Sequence, residues 1–358
     1  MARIYNFGAG PATLPLEVLQ EAQADLVDYK NSGMSVMEMS HRGKEYDAIH
    51  HEAIANVKEL LGLNDDYAVL FLQGGASLQF AMIPMNFLGS GQTADYVNAG
   101  SWGAAAVKQA RLIGNVNIAA DCQKDIPTRM PEAAEMTWTP GAAYSHITTN
   151  ETISGAQFRE LPETGSPLVA DMSSDILSRP LDYTKCAVIY AGAQKNLGPS
   201  GLVLVAIRKD LAEKGNISLP AMLRYQTQIE NNSLYNTPPT FAIYMLCLTT
   251  RWLKKIGPEN LFRQNRDKAQ LIYDVIDGSD FYRGTAKKEF RSDMNVTFRL
   301  PTEELETLFI KQASEAGMKQ LKGHRSVGGI RASIYNAFPV AGVQTLAEFM
   351  ATFEKRNG

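Results

Sequence analysis

Short runs of apolar residues alternate along this chain with longer segments whose apolar residues recur at helical spacing. Alternating strands and helices of this kind are typical of α/β proteins with a parallel sheet. Several runs are apolar throughout, as expected for strands covered on both faces. The pattern predicts strands at Ala68–Leu72, Ala94–Val97, Tyr144–Thr148, Leu168–Ala170, Ala187–Tyr190 and Leu202–Ile207.

The helical segments divide the chain into a larger and a smaller part. Gly257-Pro258 is a strong helix terminator and separates two predicted helices. We therefore predict a large domain over residues 16–257 and a smaller α+β domain over residues 258–358. The predicted helices are Leu16–Tyr29, Tyr46–Leu61, Phe241–Ile256, Glu259–Ile276, Thr302–Ala316 and Val343–Lys355, with strands near Met294–Leu300 and Gly329–Ile334.

The composition is that of a soluble globular protein with a large core. Of 358 residues, 45% are hydrophobic and the net charge is −3, which argues against a nucleic-acid or anionic-membrane surface. No apolar run reaches the roughly 20 residues that span a bilayer, and the first residues lack the apolar core of a signal peptide. The three cysteines have no metal-ligand or redox spacing. We expect a cytoplasmic protein with reduced thiols and no metal site.

A lysine follows one predicted strand in a context unlike that of a surface lysine. After Tyr190 the chain reads Ala-Gly-Ala-Gln-Lys195-Asn, and the small residues allow another group to approach closely. An isolated lysine is usually solvated, but one at the mouth of a sheet is partly desolvated, which lowers the pKa of the amine and makes it a nucleophile. Covalent capture of an aldehyde cofactor requires such an amine.

An aspartate follows another strand directly. Leu168-Val-Ala170 runs into Asp171, and a carboxylate at the end of an apolar strand is costly without a partner. The residue is either an ordinary turn or cap aspartate or the partner of a pyridinium nitrogen. A lysine that binds the aldehyde and an acid that holds the pyridine proton are the pair used by pyridoxal phosphate enzymes.

Three further strand ends carry polar or aromatic groups. Gly74-Gly75 opens a helix and, with Ser77, is suited to an anion; Trp102 is placed to stack on a flat heterocycle, and Thr152 offers a hydroxyl. Taken singly, each has a plainer interpretation as a turn, core or surface residue. Because carboxyl ends of parallel strands meet at one edge of a sheet, we expect them to converge with Asp171 and Lys195. Neither a P-loop nor a dinucleotide fingerprint occurs.

Segments along the whole chain resemble one family. They are Asn6-Phe-Gly-Ala-Gly-Pro11, Ser35-Val-Met-Glu-Met-Ser-His41-Arg42-Gly43, Tyr190-Ala-Gly-Ala-Gln-Lys195-Asn, Tyr235-Asn236-Thr237-Pro-Pro-Thr-Phe241 and Lys322-Gly-His324-Arg325-Ser-Val-Gly-Gly-Ile-Arg331-Ala-Ser-Ile-Tyr-Asn336. By these segments the chain is similar to the class V, fold type I pyridoxal phosphate-dependent aminotransferases. The resemblance implies a large domain with a mostly parallel seven-stranded sheet, and an N-terminal segment, residues 1–15, that packs with the small domain.

The resemblance also implies a role for each matching residue. Lys195 would be the catalytic lysine that binds the aldehyde of pyridoxal 5′-phosphate. The other cofactor-binding residues would be Asp171 at the ring nitrogen, Trp102 on the ring, Thr152 at the ring oxygen, Ala76, Ser77 and Gln194 at the phosphate, and Asn236 and Thr237 at the phosphate from the second subunit of a homodimer. Some members carry arginine at position 77 and serine at position 9, where this chain has Ser77 and Ala9.

The cationic residues indicate the substrate class. Arg331 alone can take an α-carboxylate, yet His41-Arg42 and His324-Arg325 add two further pairs, either solvated turns or a site for a second anionic group. The resemblance implies that they bind the phosphate of a substrate. It implies reversible amino transfer between L-glutamate and 3-phosphohydroxypyruvate that gives O-phospho-L-serine and 2-oxoglutarate in L-serine biosynthesis. Formation of 4-phosphohydroxy-L-threonine in pyridoxine biosynthesis is a further reaction of the family.

Other functions remain open on the sequence alone. An alanine–glyoxylate-type transaminase or a cysteine desulfurase would share the fold, although Cys122, Cys186 and Cys247 lie outside the strand-end clusters. A nicotinamide oxidoreductase lacks support because the dinucleotide fingerprint is absent. A non-catalytic binding module is disfavoured because Lys195, Asp171 and Trp102 are retained together.

Overall fold

The structure is a computed structural model that describes residues 3–358. Its strands are β1 (Tyr5–Asn6), β2 (Tyr67–Leu72), β3 (Thr93–Asn98), β4 (Asn115–Asp121), β5 (Ser145–Thr148), β6 (Asn150–Glu151), β7 (Ala156–Gln157), β8 (Leu168–Asp171), β9 (Cys186–Gly192), β10 (Val203–Arg208), β11 (Arg283–Gly284), β12 (Asn295–Arg299), β13 (Met318–Lys319) and β14 (Ile330–Ser333). Its α-helices are α1 (Leu16–Asp25), α2 (Lys44–Leu61), α3 (Gly75–Phe87), α4 (Ser101–Ala110), α5 (Lys209–Ala212), α6 (Tyr225–Glu230), α7 (Thr240–Ile256), α8 (Pro258–Asp277), α9 (Glu303–Glu315) and α10 (Val340–Asn357). None of these helices is long and apolar enough to cross a membrane.

A seven-stranded sheet forms the centre of the molecule, in the order β2-β10-β9-β8-β5-β3-β4. Neighbours from β9 to β4 pair in parallel, and β10 is antiparallel to both β2 and β9. The predicted α/β fold class with a mostly parallel seven-stranded sheet is therefore confirmed.

The sheet is buried on both faces, which explains the continuous apolar runs. In β9, Ile189 and Ala191 belong to a core cluster that includes residues of α2 and α7, whereas Val188 and Tyr190 belong to one that includes residues of α3 and α4. Successive side chains of a strand point to opposite faces, so both sets must be apolar when helices cover both faces.

One predicted helix is longer than the helix in the structure, and one strand of the central sheet was not predicted. The predicted helix Leu16–Tyr29 ends at Asp25, because Val27 is exposed and Lys30 adopts a positive φ of 48° that an α-helix cannot contain. Strand β4 was not predicted. It lies at the edge of the sheet, and its half-exposed residues give no apolar run.

The C-terminal part has its own core. Strands β11, β12 and β14 form an antiparallel sheet, and their apolar residues cluster with those of α8, α9 and α10. Helix α8 starts in the first core with Leu261 and enters this one with Ala269. The N-terminal segment joins it too: β1 pairs with β13, and fully buried Phe7 contacts Phe338 at 4.4 Å between ring centroids. Residues 1 and 2 of the predicted 1–15 segment lie outside the described residues.

Phe309 is the centre of the aromatic core of this C-terminal part. It is fully buried and meets Phe298, Phe349 and Phe353 with its ring near perpendicular to each. We expect Phe309→Ala to destabilise the protein by about 3–5 kcal/mol, because it leaves a cavity that the surrounding rings cannot fill. Differential scanning calorimetry measures the loss. Ile126→Ala, at a site 95% exposed, is the matched control and should leave the transition temperature unchanged; equal effects of the two substitutions would contradict the assignment.

Candidate active site

A cavity of about 370 Å³ opens where the predicted strand ends meet. Strands β5 and β8 end there, β9 leads into it, and α3 and α4 begin beside it, as expected for the carboxyl edge of an α/β sheet. The volume suits a small organic ligand. Of the residues singled out from the sequence, the cavity is lined by Ala76, Ser77, Trp102, Thr152, Asp171, Gln194, Lys195, His324 and Arg331.

Lys195 lies in the turn that follows β9, with its amine inside the cavity. Its Nζ donates a hydrogen bond to Thr152 Oγ1 at 3.0 Å and lies 5.6 Å from the centroid of the Trp102 ring. Burial lowers the pKa of the amine, while the carboxylates of Asp171 and Glu151 raise it. The balance lies below the ordinary lysine value, so more neutral amine is present near neutral pH than for a solvated lysine.

Asp171 is the last residue of β8 and is almost completely buried. Its Oδ1 accepts hydrogen bonds from the Ser173 backbone N–H at 2.9 Å and hydroxyl at 2.6 Å. Burial raises the pKa of the carboxyl, and the Ser173 hydrogen bonds and Lys195 oppose that rise. Within residues 3–358 no hydrogen bond involves Oδ2, so this oxygen is available to a donor in the cavity.

The start of α3 forms an anion cradle. Gly74 and Gly75 have positive φ values of 86° and 60°, and a Cβ on Gly74 would lie 2.6 Å from Leu78 Cβ, so glycine is required there. The first turn of a helix leaves backbone N–H groups without intrahelical acceptors, and the helix dipole favours a negative group beside them. Ala76 and Ser77 occupy this first turn and line the cavity.

Trp102 and Arg331 each bring a polar nitrogen that lacks a partner. Trp102 Nε1 and Arg331 Nε are buried and make no hydrogen bond within the part of the chain that the structure describes. Burial lowers the pKa of the Arg331 guanidinium from its usual value, and a carboxylate ligand would restore the lost solvation. These donors, the free oxygen of Asp171 and the anion cradle together fit a flat, charged, phosphate-bearing heterocycle and a carboxylate substrate.

Five predicted site residues lie outside this cavity, namely His41, Arg42, Asn236, Thr237 and Arg325. Arg42, Thr237 and Arg325 are exposed, and His41 and Asn236 are half-buried. Asn236 Nδ2 lies 3.5 Å from Gln73 Oε1, next to the Gly74-Gly75 turn. His324 lines the cavity, and its Nδ1 is 2.7 Å from Ser326 Oγ.

Sequence reasoning did not single out Glu151. Its carboxylate is completely buried, and Oε2 and Oε1 accept hydrogen bonds from the Trp102 and Gly103 backbone N–H groups at 3.1 and 2.8 Å. The available signal was its position in Asn150-Glu151-Thr152, because an acid between two buried polar residues after a strand requires a partner.

Comparison with known proteins agrees with this geometry. Residues 4–346 match the profile of the family described as Aminotransferase class-V. A phosphoserine aminotransferase of Niallia circulans is 55% identical over 99% of both chains. The structure of phosphoserine aminotransferase from Bacillus circulans subsp. alkalophilus superposes with a TM-score of 0.96 at 54% identity, covering 99% of both chains. That of PLP-bound phosphoserine aminotransferase from Trichomonas vaginalis gives 0.94 at 38% identity, covering 98% of this chain and all of that one.

The environment of Lys195 predicts an unusual titration. In the cofactor-free protein, the rate at which an amine-selective reagent modifies Lys195 should reach half its maximum at a pH below about 10.4, the usual lysine pKa. Asp171→Asn should move this midpoint lower still, because it removes a negative charge that stabilises the ammonium. Mass spectrometry of the modified peptide measures the rate.

The exposed Asp280 supplies the control. Asp280→Asn should leave the midpoint where it is in the unmodified chain. A midpoint at the usual lysine value, or one that rises in Asp171→Asn, would contradict the electrostatic account of the site.

Proposed function

Because the chain belongs to the class-V aminotransferase family, we propose that it catalyses reversible amino transfer between L-glutamate and 3-phosphohydroxypyruvate. The products are O-phospho-L-serine and 2-oxoglutarate, in L-serine biosynthesis. The observation that carries the proposal is the grouping of Lys195 Nζ with Thr152, Trp102 and Asp171 around one cavity. Relatives that are 53–55% identical over 99% of both chains are phosphoserine aminotransferases. The related 4-phosphohydroxy-L-threonine is a second proposed product, in pyridoxine biosynthesis.

The cofactor is pyridoxal 5′-phosphate, and the cavity residues fit each of its parts. Asp171 Oδ2 would accept the proton of the ring nitrogen, the indole of Trp102 would cover the ring, and the Thr152 hydroxyl would bind the ring oxygen. Gln194 and the first turn of α3, with Ala76 and Ser77, would hold the phosphate. When bound, the cofactor supplies an electron sink for the pair left at the substrate α-carbon.

Lys195 has two tasks in this proposal. Its Nζ would be the point of covalent attachment and, when free, would be the base that takes the substrate α-proton and the acid that delivers a proton to the aldehyde-derived carbon of the cofactor. The lowered pKa of the amine suits both tasks, because the neutral form must be populated near neutral pH. The Thr152 hydroxyl, 3.0 Å from Nζ, orients the amine.

Arg331 would bind the α-carboxylate of each substrate. Its guanidinium lines the cavity, and a guanidinium matches a carboxylate with two parallel hydrogen bonds. His324 also lines the cavity and, with His41, Arg42 and Arg325, would bind the phosphate of phosphoserine or the γ-carboxylate of glutamate. The same cation set therefore accommodates both substrates of the reversible reaction.

The proposed enzyme is a homodimer with shared active sites. His50, in the second turn of α2, lies 2.9 Å from the Asn232 carbonyl, four residues before Asn236, so the segment after Arg42 and the segment before Asn236 are in contact. Exposed apolar residues, Met37 (58%) and Tyr235 (47%), occur in the two segments that carry Arg42 and Asn236. We propose that His41, Arg42, Asn236 and Thr237 face the cavity of a second copy of this chain, with no nucleic acid or membrane as a partner.

The three cysteines argue against the desulfurase alternative. Cys122, Cys186 and Cys247 are buried and free, and none lines the cavity. Burial raises the pKa of their thiols to about 11, 12 and 12, so none is an activated nucleophile.

The free thiols also support the proposed cytoplasmic location, where thiols stay reduced. We also propose that the two domains meet at 257/258 and that the N-terminal segment, which the structure describes from residue 3, packs with the smaller domain.

Substrate preference tests the proposed reaction. The protein should transfer the amino group of O-phospho-L-serine to 2-oxoglutarate far faster than that of L-serine. Arg331→Ala should lower kcat/KM by roughly 30- to 150-fold, because the loss of a charge-assisted pair costs about 2–3 kcal/mol. Arg42→Ala should narrow the preference for the phosphorylated substrate. Arg356→Ala, at an exposed site on α10, is the control and should leave both kcat/KM and the substrate preference unchanged. Equal rates with serine and phosphoserine would refute the assignment, whereas a preference for alanine would favour the alanine–glyoxylate type.

Shared active sites predict complementation between inactive variants. Lys195→Ala and Asn236→Ala should each be impaired, and denaturing and refolding them together should restore activity, because the mixed dimer contains one site with both native residues. Steady-state assays of the mixture measure the recovery. A mixture no more active than the average of its components would contradict a partner role for Asn236, and a monomeric mass in light scattering would contradict the dimer.

A further inference from the structure

Glu151 is a charged residue in a buried position, where desolvation of its carboxylate is costly. It ends β6, which pairs with β7, and its side chain is completely buried. Desolvation of an isolated carboxylate would be strongly unfavourable, so hydrogen-bond partners must compensate for it. Those partners are the backbone N–H groups of Trp102 and Gly103, one on each carboxylate oxygen.

The carboxylate replaces a missing helix cap. Helix α4 begins at Ser101, and its N-cap residue, Gly100, has no side chain to accept a hydrogen bond. The first-turn N–H groups of a helix need acceptors, and the positive end of the helix dipole favours an anion. Glu151 provides both from a different strand.

The glycines of this turn leave room for the carboxylate. A Cβ on Gly100 would lie 2.4 Å from Glu151 Cδ, and one on Gly103 would lie 3.4 Å from Glu151 Oε1 and 2.9 Å from the Val97 carbonyl oxygen. Any other residue at position 100 would displace the acid. The two glycines of Gly100-Ser101-Trp102-Gly103 therefore leave the space that the Glu151 side chain occupies, although Glu151 is distant in sequence.

The two hydrogen bonds act on the residue whose ring lies beside the catalytic lysine. They fix the peptide group that precedes Trp102 and the one that follows it. The direction of the Cα–Cβ bond of Trp102 depends on these two planes, and its ring centroid lies 5.6 Å from Lys195 Nζ. We propose that Glu151 is a positioning residue that clamps the backbone on both sides of Trp102 and so sets the plane of the indole against the cofactor. This inference rests on the function proposed above.

The charge of Glu151 gives this role an electrostatic signature. Burial raises the pKa of Glu151 to about 7, against the effect of the two N–H groups, so the carboxylate is mostly ionised above neutral pH. The charged groups that act on Lys195 are Asp171, Glu151, Arg331 and, with the smallest influence, Asp175. Asp171 and Lys195 in turn act on Glu151. Removal of the Glu151 charge should therefore disfavour a protonated nitrogen at Lys195.

Two substitutions change the charge and the clamp in different ways. Glu151→Gln keeps the length of the side chain but removes its charge and one of its two acceptor oxygens, because an amide NH2 cannot accept a backbone N–H. Glu151→Asp keeps the charge and both oxygens on a side chain too short to reach both N–H groups. In the holoenzyme we expect kcat with O-phospho-L-serine to fall about 10- to 100-fold in Glu151→Asp, with a smaller change in KM, because misplacement of a group at the reacting centre affects the chemical step. The visible circular dichroism of the bound cofactor should change with it.

The visible absorption of the bound cofactor changes with pH when the nitrogen at Lys195 loses its proton. Glu151→Gln should move the midpoint of this change to lower pH. Glu151→Asp keeps the negative charge and should move the midpoint less than Glu151→Gln does. Glu348→Gln, an exposed glutamate on α10, is the control and should alter neither property. Thermal unfolding checks that each variant is folded.

Unchanged circular dichroism, pH midpoint and kcat in both folded variants would overturn the proposal. Failure of both variants to fold would overturn it as well, because Glu151 would then be a residue of the fold. Absence of cofactor binding or amino transfer in the unsubstituted protein would instead refute the proposed function, so the two failures are distinguishable.

Discussion

A partly buried primary amine under the influence of two buried carboxylates is the constraint on which the rest of this site depends. Desolvation lowers the pKa of Lys195, and Asp171 and Glu151 limit that fall. Either carboxylate alone would be an uncompensated buried charge, so each is tied to backbone N–H groups, of Ser173 in one case and of Trp102 and Gly103 in the other. The amine stays available for chemistry because the lowering of its pKa by desolvation outweighs the rise that these carboxylates cause.

The topology of the sheet brings these groups together. Thr148, Asp171 and Tyr190 are register partners on three adjacent parallel strands, so the chain leaves all three at the same edge. Strand β10 then runs antiparallel to β9, which makes the segment with Lys195 a turn held between two buried strands. Arg331 reaches the same cavity from β14 of the C-terminal part, so the cores on both sides of α8 must be correctly packed for the site to form.

Sequence patterns predicted the strand ends well and the tertiary partners poorly. Lys195 and Asp171 each follow an apolar run, and the parallel sheet brings such positions together. The signal for Glu151, its position in Asn150-Glu151-Thr152, was weaker, because its partners are backbone groups far away along the chain. The predicted substrate cation Arg42 lies outside the cavity of its own chain. A single sequence does not show where a second copy of the chain binds, so the role of Arg42 is a proposal.

The covalent role of Lys195 is tested most directly by identifying the lysine that bears the cofactor. The holoenzyme is treated with borohydride, digested and analysed by mass spectrometry. The account predicts a stable pyridoxyl phosphate adduct on the peptide that contains Lys195, loss of the visible band on reduction, and neither result in Lys195→Ala. An adduct on another lysine, such as the fully buried Lys268, or the same visible band in Lys195→Ala, would contradict it.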